Sequence, residues 1–431
     1  DAKLLKKSKS NSMKVLWFTN SPCSSIKRNN EKTLAGGWLT SLENALKDKE
    51  YINLSIAFIS HSESEPFLFE GTTYYPIHDN TSQNVITKLA NRIKPLSDKD
   101  NRLLPAMLKI IQKCQPDIIH IHGTEECFGI ITEHITNIPI VFSIQGLISP
   151  YKEKFFSGIP YHDIRKNENW YNKIKLTSVK EEYQSFVYRG ERECSFLKKA
   201  PYIMGRTFWD KNITLLFNHN RKYFTVNEIL RDEFYTAKWE KTQFENQLQL
   251  VSIVSFGVYK GYETILKTAK LLTNHANFKF TWNIIGYDIH TPMLQITEKA
   301  LKLYHQDYSI KLYGRQNSQQ IVEILKSSDI YCHVSHIENS PNSVCEAMIM
   351  GMPIISGYAG GTSSLLEHEK DGILVQDGDP YILAGAICEL QSNFKKALQC
   401  GKNAQTKAMQ RHNPHNIIDE LLHAYHEIIN H

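Results

Sequence analysis

Glu338 and Glu346 stand with seven residues between them in a segment, His336–Pro380, punctuated by glycine and proline. Between the two acids a loop gives way to a helix near Ser343, which Gly351 and Pro353 then end. A helix that opens in this way offers unpaired backbone amides, a natural seat for a diphosphate. A carboxylate in its first turn can accept hydrogen bonds from a ribose diol. Ser343-Val344-Cys345-Glu346 also fits a capping box, in which Glu346 serves only its own helix.

A second loop, Ser255-Phe256-Gly257-Val258-Tyr259-Lys260-Gly261, lies where a strand meets a helix. Its glycines allow close backbone approach to a phosphate, and Lys260 supplies a point charge. By itself Lys260 also reads as a solvated lysine at a helix start. Tyr313-Gly314-Arg315 follows another strand, and Arg315 is either a stacking partner for a flat base or a surface arginine. In Asp117-Ile118-Ile119-His120-Ile121-His122-Gly123, strand alternation turns both histidines to one face. His120 is expected to be a satisfied core residue, whereas His122 reaches the carboxyl end of the strand. Arg206, in Gly205–Asp210, belongs either to a buried Arg–Asp pair or to a cleft that receives an anion.

The elements that must position these residues repeat one plan. Strand-like runs at 14–18, 53–59, 117–121 and 138–144 alternate with helical patterns at 37–46, 103–114 and 128–135. Residues 151–245 are richer in aromatic and basic residues, with helical spacing at 168–199 and 227–235. The plan then restarts with strands at 249–255, 280–285, 310–313, 329–334 and 354–356 and helices at 262–275, 293–304, 318–327 and 343–350. Short apolar strands alternating with helices predict parallel sheets covered on both faces, here two doubly wound α/β domains whose strand ends face a central cleft. The boundaries expected are a tail or tag at 1–12, an N-terminal Rossmann-like domain at 13–240 with a helical insertion at about 151–200, a C-terminal one at 248–410, and a final helix at 411–431. The polar stretch 238–247 reads as the linker. Pro414–Ile429 is amphipathic and either crosses back to the N-terminal domain or lies on a membrane surface.

Composition narrows the partners. Lys plus Arg is 50 against 45 for Asp plus Glu, a net charge of +5, which argues against a dedicated nucleic-acid binder. Eight cysteines are scattered without a C-x-x-C pair, so reduced core thiols and a cytoplasmic setting are expected, and their spacing gives no zinc site. No apolar run approaches the length of a membrane span. No G-x-G-x-x-G follows the first strand, which weighs against an NAD-dependent oxidoreductase.

The pieces together resemble the nucleotide-sugar site of retaining family 4 glycosyltransferases of the GT-B fold: Glu338 and Glu346, Ala347-Met348 with Gly351 and Pro353, Gly360-Gly361, Asp371-Gly372, Val375 and Gly378-Asp379-Pro380. The resemblance implies that Glu346 holds the ribose hydroxyls and Glu338 the donor sugar, while amides of Asn342, Ser343 and Val344 hold sugar and phosphate. Lys260 and Gly257 match the diphosphate loop, and Gly314 and Arg315 the loop framing the base. His122 would contact the donor sugar, with Arg206 near phosphate or acceptor. Gly36 and Gly37 are similar to the family's glycine loop near phosphates or acceptor, and Gln145 would line the acceptor side. The chain departs from the pattern at Ser340 and Pro341, at Ser363 and Ser364, and in lacking the arginine of the diphosphate loop.

The function this implies is transfer of a sugar from a UDP- or GDP-sugar to a glycan or lipid-linked saccharide, as in bacterial surface polysaccharide assembly, with no metal and no other cofactor. Peripheral contact with the inner face of a membrane through residues 151–245 is an open alternative to a solvated insertion there. Rival readings are a GT-B sugar-nucleotide epimerase and a non-catalytic nucleotide-sugar-binding protein.

Overall fold

The computed structural model describes residues 12–29, 37–61, 65–79, 96–174 and 177–431. The expected alternation is present as two sheets. The first has eight strands: β1 (Met13–Thr19), β2 (Ile52–Ser60), β3 (Phe67–Phe69), β4 (Thr72–His78), β5 (Ile118–His122), β6 (Ile140–Ser143), β7 (Tyr202–Gly205) and β8 (Lys222–Thr225). Their order is β3-β4-β2-β1-β5-β6-β7-β8, and all neighbours are parallel except β3 with β4.

Alternation along β1 shows why this sheet is buried twice over. Val15 and Trp17 pack under the helices Gly37–Lys47 and Pro414–Ile429. Leu16 and Phe18 pack under Leu96–Cys114 and the 3-10 turns at Cys127–Glu133. A parallel sheet covered on both faces needs continuous apolar strands, and β1 supplies one.

The second sheet is entirely parallel: β9 (Gln247–Ile253), β10 (Lys279–Ile285), β11 (Ile310–Gly314), β12 (Ile330–His333), β13 (Ile354–Gly357) and β14 (Ile373–Val375), in the order β11-β10-β9-β12-β13-β14. Helices Tyr262–His275 and Pro380–Ser392 cover one face, and Asn342–Met350 with Phe394–Arg411 the other. Two doubly wound halves meeting at a cleft are the GT-B arrangement.

Several expectations change in detail. The segment 128–135 forms 3-10 turns, not an α-helix, because Gly129 lies against the Phe196 ring and Pro139 soon follows. Residues 227–231 form no regular element, and the helix there is only Asp232–Thr236. The helical pattern from 168 divides into Trp170–Ile174 and Val179–Lys199. The insertion spans both cores: Phe196 and Leu197 pack in that of the first sheet, while Tyr151, Phe155, Ile159, Ile164 and Phe186 pack with Tyr259, Tyr262 and Ile265 of the second. The stretch 238–247 is not a free linker. Trp239 is buried and donates to the Ser328 carbonyl at 2.8 Å, and Lys241 pairs with Asp329 at 2.7 Å.

The final helix crosses to the N-terminal sheet. Trp17 Nε1 donates to Tyr425 Oη at 3.0 Å, which leaves that hydroxyl's proton for His120 Nδ1 at 2.6 Å. His120 Nε2 then donates to Ser143 Oγ at 2.6 Å. His120 is thus the satisfied core residue expected of it, and the apolar stripe of Pro414–Ile429 is consumed by packing against the sheet. Among the described residues no helix is long and apolar enough to cross a membrane. The insertion does expose Trp170, Tyr171 and Ile174.

Candidate active site

Lys260 follows the turn that joins β9 to the helix Tyr262–His275. Gly261, at φ +79°, lets the backbone run against β12: a Cβ there would fall 2.0 Å from the Val334 carbonyl oxygen. That turn delivers the Lys260 ammonium directly onto Glu338 Oε1. Burial opposes both charges, yet the pair prevails. Burial would raise Glu338, but Lys260 and His333 outweigh it and hold the carboxyl below its ordinary value. Burial would lower Lys260, but Glu338 and Tyr259 hold it above. Each charge is the condition of the other.

Helix Asn342–Met350 begins just beyond. Its N-cap is Pro341, which accepts from the amides of Val344 (3.0 Å) and Cys345 (3.2 Å). The Val344 amide is therefore committed to the helix, contrary to its expected role on the ligand. The first two amides, of Asn342 and Ser343, have no acceptor within the helix and face its open end. The capping-box reading also falls, since Ser343 is already inside the helix and Pro341 caps it without a side chain.

Glu346 is buried and bound bidentately by Arg231, Nε to Oε1 at 2.8 Å and Nη2 to Oε2 at 2.7 Å. Burial dominates and raises its pKa, with Arg231 working against it. Sequence reasoning missed Arg231 because it assigned 227–235 to a helix. A usable signal was present: Glu346 sits among Val344, Cys345, Ala347 and Met348, and a carboxylate in such company requires a cation.

Arg206 does not pair with Asp210. Its guanidinium lies 3.4 Å from Glu228 Oε2 and 4.1 Å above the Trp38 ring. Asp210 instead accepts from the Arg206 backbone amide at 2.9 Å. Glu228 is thus the partner Arg206 has in this structure. Arg315 is exposed, 4.9 Å from the Phe256 ring centroid. Gly257 and Gly314 both adopt positive φ in the loops at the strand ends. Gly37, also at positive φ, opens the first helix, whereas Gly36 lies outside the described residues.

His122 stacks on His120, ring centroids 3.8 Å apart, with Trp17 and Trp38 edge-on. Its two ring nitrogens are buried without a hydrogen-bond partner. Burial first, then His120 and Arg206, push its pKa well below the ordinary value, so the ring is neutral. Gln145 accepts from Asn20 at 3.4 Å and keeps a buried amide nitrogen unpartnered.

Beside them is a group the sequence did not single out, Glu125. A Cβ on Gly123 would meet Glu125 Oε2 at 2.1 Å and the Gln145 amide carbon at 3.5 Å, which puts this half-buried carboxyl across the ends of β5 and β6. Burial pushes its pKa up to about 7. Its place at the carboxyl end of β5, three residues after His122, was the available signal.

A grouping that sequence spacing could not show joins Glu228, Cys345 and His412, whose ligand-type atoms lie within 4.8 Å of one another. Burial and the Glu228 charge keep the Cys345 thiol protonated. The thiol donates to Glu228 Oε1 at 3.4 Å, and Arg206 already balances that carboxylate. The donor set is therefore a hydrogen-bonded network and fits a cation poorly.

The geometry defines a two-domain α/β protein with an anion-ready cleft, and known proteins narrow the class. Residues 234–407 match the family described as glycosyl transferases group 1. That stretch of the chain is similar to the group 1 glycosyl transferases. It is 24% identical over 263 residues to an uncharacterized glycosyltransferase of Methanocaldococcus jannaschii, covering 60% of this chain and 66% of that one. It is 22% identical to an N,N'-diacetylbacillosaminyl-diphospho-undecaprenol alpha-1,3-N-acetylgalactosaminyltransferase of Campylobacter jejuni, covering 66% and 69%. The structure superposes on Anabaena HepE, solved with UDP and glucose, at a TM-score of 0.64 and 15% identity over 95% of this chain and 98% of that one. The matched stretch spans 66%, 58% and 42% of the first three curated relatives' own lengths.

Proposed function

We propose that this chain is a retaining glycosyltransferase that moves a sugar from a UDP- or GDP-sugar to a glycan or lipid-linked saccharide, with charge stabilisation supplied by protein groups instead of a metal ion. The observation that carries this reading is the Lys260–Glu338 pair beside the open amides of Asn342 and Ser343. A sugar diphosphate needs positive charge at the phosphates and an acceptor group at the sugar hydroxyls, and these residues offer both at one helix end.

As the bond from the anomeric carbon to the diphosphate oxygen breaks, its electron pair goes to the diphosphate. Lys260 and the two amides stabilise that charge without reorganising. The acceptor oxygen bonds to the same face of the sugar, and its proton passes to the departing phosphate. Glu338 holds sugar hydroxyls, Glu346 with Arg231 the ribose end, and neutral His122 the sugar from the opposite wall. The Campylobacter jejuni relative, named for an undecaprenol-linked acceptor, and HepE, solved with UDP and glucose, support the acceptor and donor classes. Exposed Trp170, Tyr171 and Ile174 are suited to a lipid-linked acceptor presented at a membrane surface.

The test is donor turnover with lipid-linked and soluble glycan acceptors, followed by nuclear magnetic resonance of the product. An α-configured glycoside from an α-linked donor supports the proposal. Epimerised sugar nucleotide without glycoside indicates the epimerase reading, and binding without turnover the non-catalytic one.

A further inference from the structure

The loop that carries Glu338 is gripped from the other domain. Thr207 Oγ1 donates to Asn339 Oδ1 at 2.5 Å, and Asn339 Nδ2 donates to Asp210 Oδ2 at 2.9 Å. Ser340 Oγ donates to Glu228 Oε1 at 2.6 Å, on the carboxylate that also faces Arg206. The Phe208 amide donates to Ser364 Oγ at 3.0 Å. Thr207, Asp210, Glu228, Asn339 and Ser340 are all buried. The packing leaves no slack: a Cβ on Gly361 would lie 2.1 Å from the Asn339 carbonyl oxygen and 2.8 Å from Thr207 Cγ2.

These contacts explain two departures from the resembled pattern. Ser340 and Ser364 replace other residues at positions where this chain meets Glu228 and the Phe208 amide. Glu228 is fit for the task. Burial would raise its carboxyl, but Arg206, His412 and Arg411 reverse that and hold it at about 2, so it is an acceptor at any physiological pH. Asp210 is saturated, taking the Arg206 and Thr207 amides and Asn339 on Oδ2, and Tyr223 on Oδ1. A buried polar network of this kind holds one geometry, since any displacement leaves a donor or acceptor unmet.

We propose that Thr207, Asp210 and Glu228 are positioning residues, which set the Glu338 loop from the N-terminal domain and so complete the sugar-recognising part of the donor site. The inference rests on the transferase reading above. Under it, the nucleotide is held at Glu346 and Arg231, which take no part in this network, whereas recognition of the sugar depends on a loop fixed by hydrogen bonds that cross the cleft.

The discriminating readout is preference for sugar nucleotide over bare nucleotide. Calorimetry on the intact chain with UDP against UDP-glucose, and GDP against GDP-mannose, is expected to show tighter binding of one sugar nucleotide to the wild-type chain. Thr207→Ala and Ser340→Ala should each remove that preference and slow donor turnover at least tenfold, with affinity for the bare diphosphate unchanged. Thr207→Ser should restore both. A role in stability alone would lower the melting temperature and leave the preference intact, and that result overturns the inference. Ser340→Ala deletes the bond to Glu228, and Thr207→Ala the bond to Asn339 together with the N-cap bond from the Asp210 amide, which Thr207→Ser keeps, so the test stands even where Asp210→Asn or Glu228→Gln fails to fold. A wild-type chain that binds neither diphosphates nor sugar nucleotides overturns the transferase reading and this inference together. A wild-type chain that binds and turns over donor, beside alanine variants that keep the preference, overturns this inference alone.

Discussion

The two walls of the cleft follow opposite electrostatic plans. On the C-terminal wall both acids of the spaced pair carry a cation, Lys260 on Glu338 and Arg231 on Glu346. On the N-terminal wall, apart from the Arg206–Glu228 pair, His122 and Glu125 are desolvated without an ion pair, and burial drives each toward its neutral form. The difference teaches a division of labour. A wall of preformed ion pairs can exchange partners with an ionic ligand at small cost, because its charges are already desolvated and fixed. A wall of neutral polar groups suits hydroxyls, which offer hydrogen bonds and no charge. A sugar diphosphate and a saccharide acceptor divide in the same way.

The most severe test of the charged wall is Lys260→Ala. It leaves the half-buried Glu338 unpaired and, on the proposed reading, deprives the leaving group of its cation, so turnover should fall roughly 100-fold, about 2.7 kcal/mol of transition-state stabilisation. A steady-state assay giving near-normal turnover would place the chemistry elsewhere.

Arg231→Ala should come next. Removing one member of a buried pair strands the other, at a cost of about 3 kcal/mol and a melting temperature lower by roughly 3 °C. Scanning calorimetry on Arg231→Ala and on the double variant with Glu346→Gln decides the cause. The double variant should recover part of the loss, because no charge is then left unpaired.

The neutral wall is sharpened by pH. A histidine whose folded pKa lies below its unfolded value costs stability as pH falls through about 6.5, because the unfolded chain takes up the proton. His120 and His122 both act in that direction. His122→Gln should therefore reduce the fall in melting temperature between pH 7 and pH 5. Glu125 has the opposite sign. Its folded pKa of about 7 lies above the unfolded one, so stability is lost as pH rises from about 4.5 to 7. Glu125→Gln should raise the melting temperature at pH 8 and leave it unchanged at pH 4, the smallest of these effects. A variant that melts with the wild type at both values would show that Glu125 is solvated.

The same contrast governs what could be read from the sequence. The charged wall was legible because its residues are local: Glu338, Glu346 and Gly351 lie within one loop and helix, and strand periodicity placed Lys260 at a carboxyl end, as it did His122 on the neutral wall. What escaped notice depends on contacts between distant segments. Arg231 reaches Glu346 across 115 positions, and Arg206 meets Glu228 rather than the nearby Asp210. The insertion was assigned to one domain by chain order, but Tyr151, Phe155 and Phe186 found their core in the other. Periodicity identifies which face of an element is buried and does not identify its partner. For the same reason the interdomain network at Asn339 and Ser340 was visible only as two departures from a pattern.

The central claim is that the C-terminal wall is a nucleoside-diphosphate site, and thermal unfolding tests it most directly. The intact chain would be melted alone and with UDP, GDP, ADP, dTDP or NAD. A ligand at about 100 times its dissociation constant stabilises the folded state by about 2.7 kcal/mol, a shift of several degrees. One diphosphate should raise the melting temperature selectively, and the shift should shrink in Glu346→Ala. A chain that responds to no diphosphate, or to NAD alone, would contradict the account.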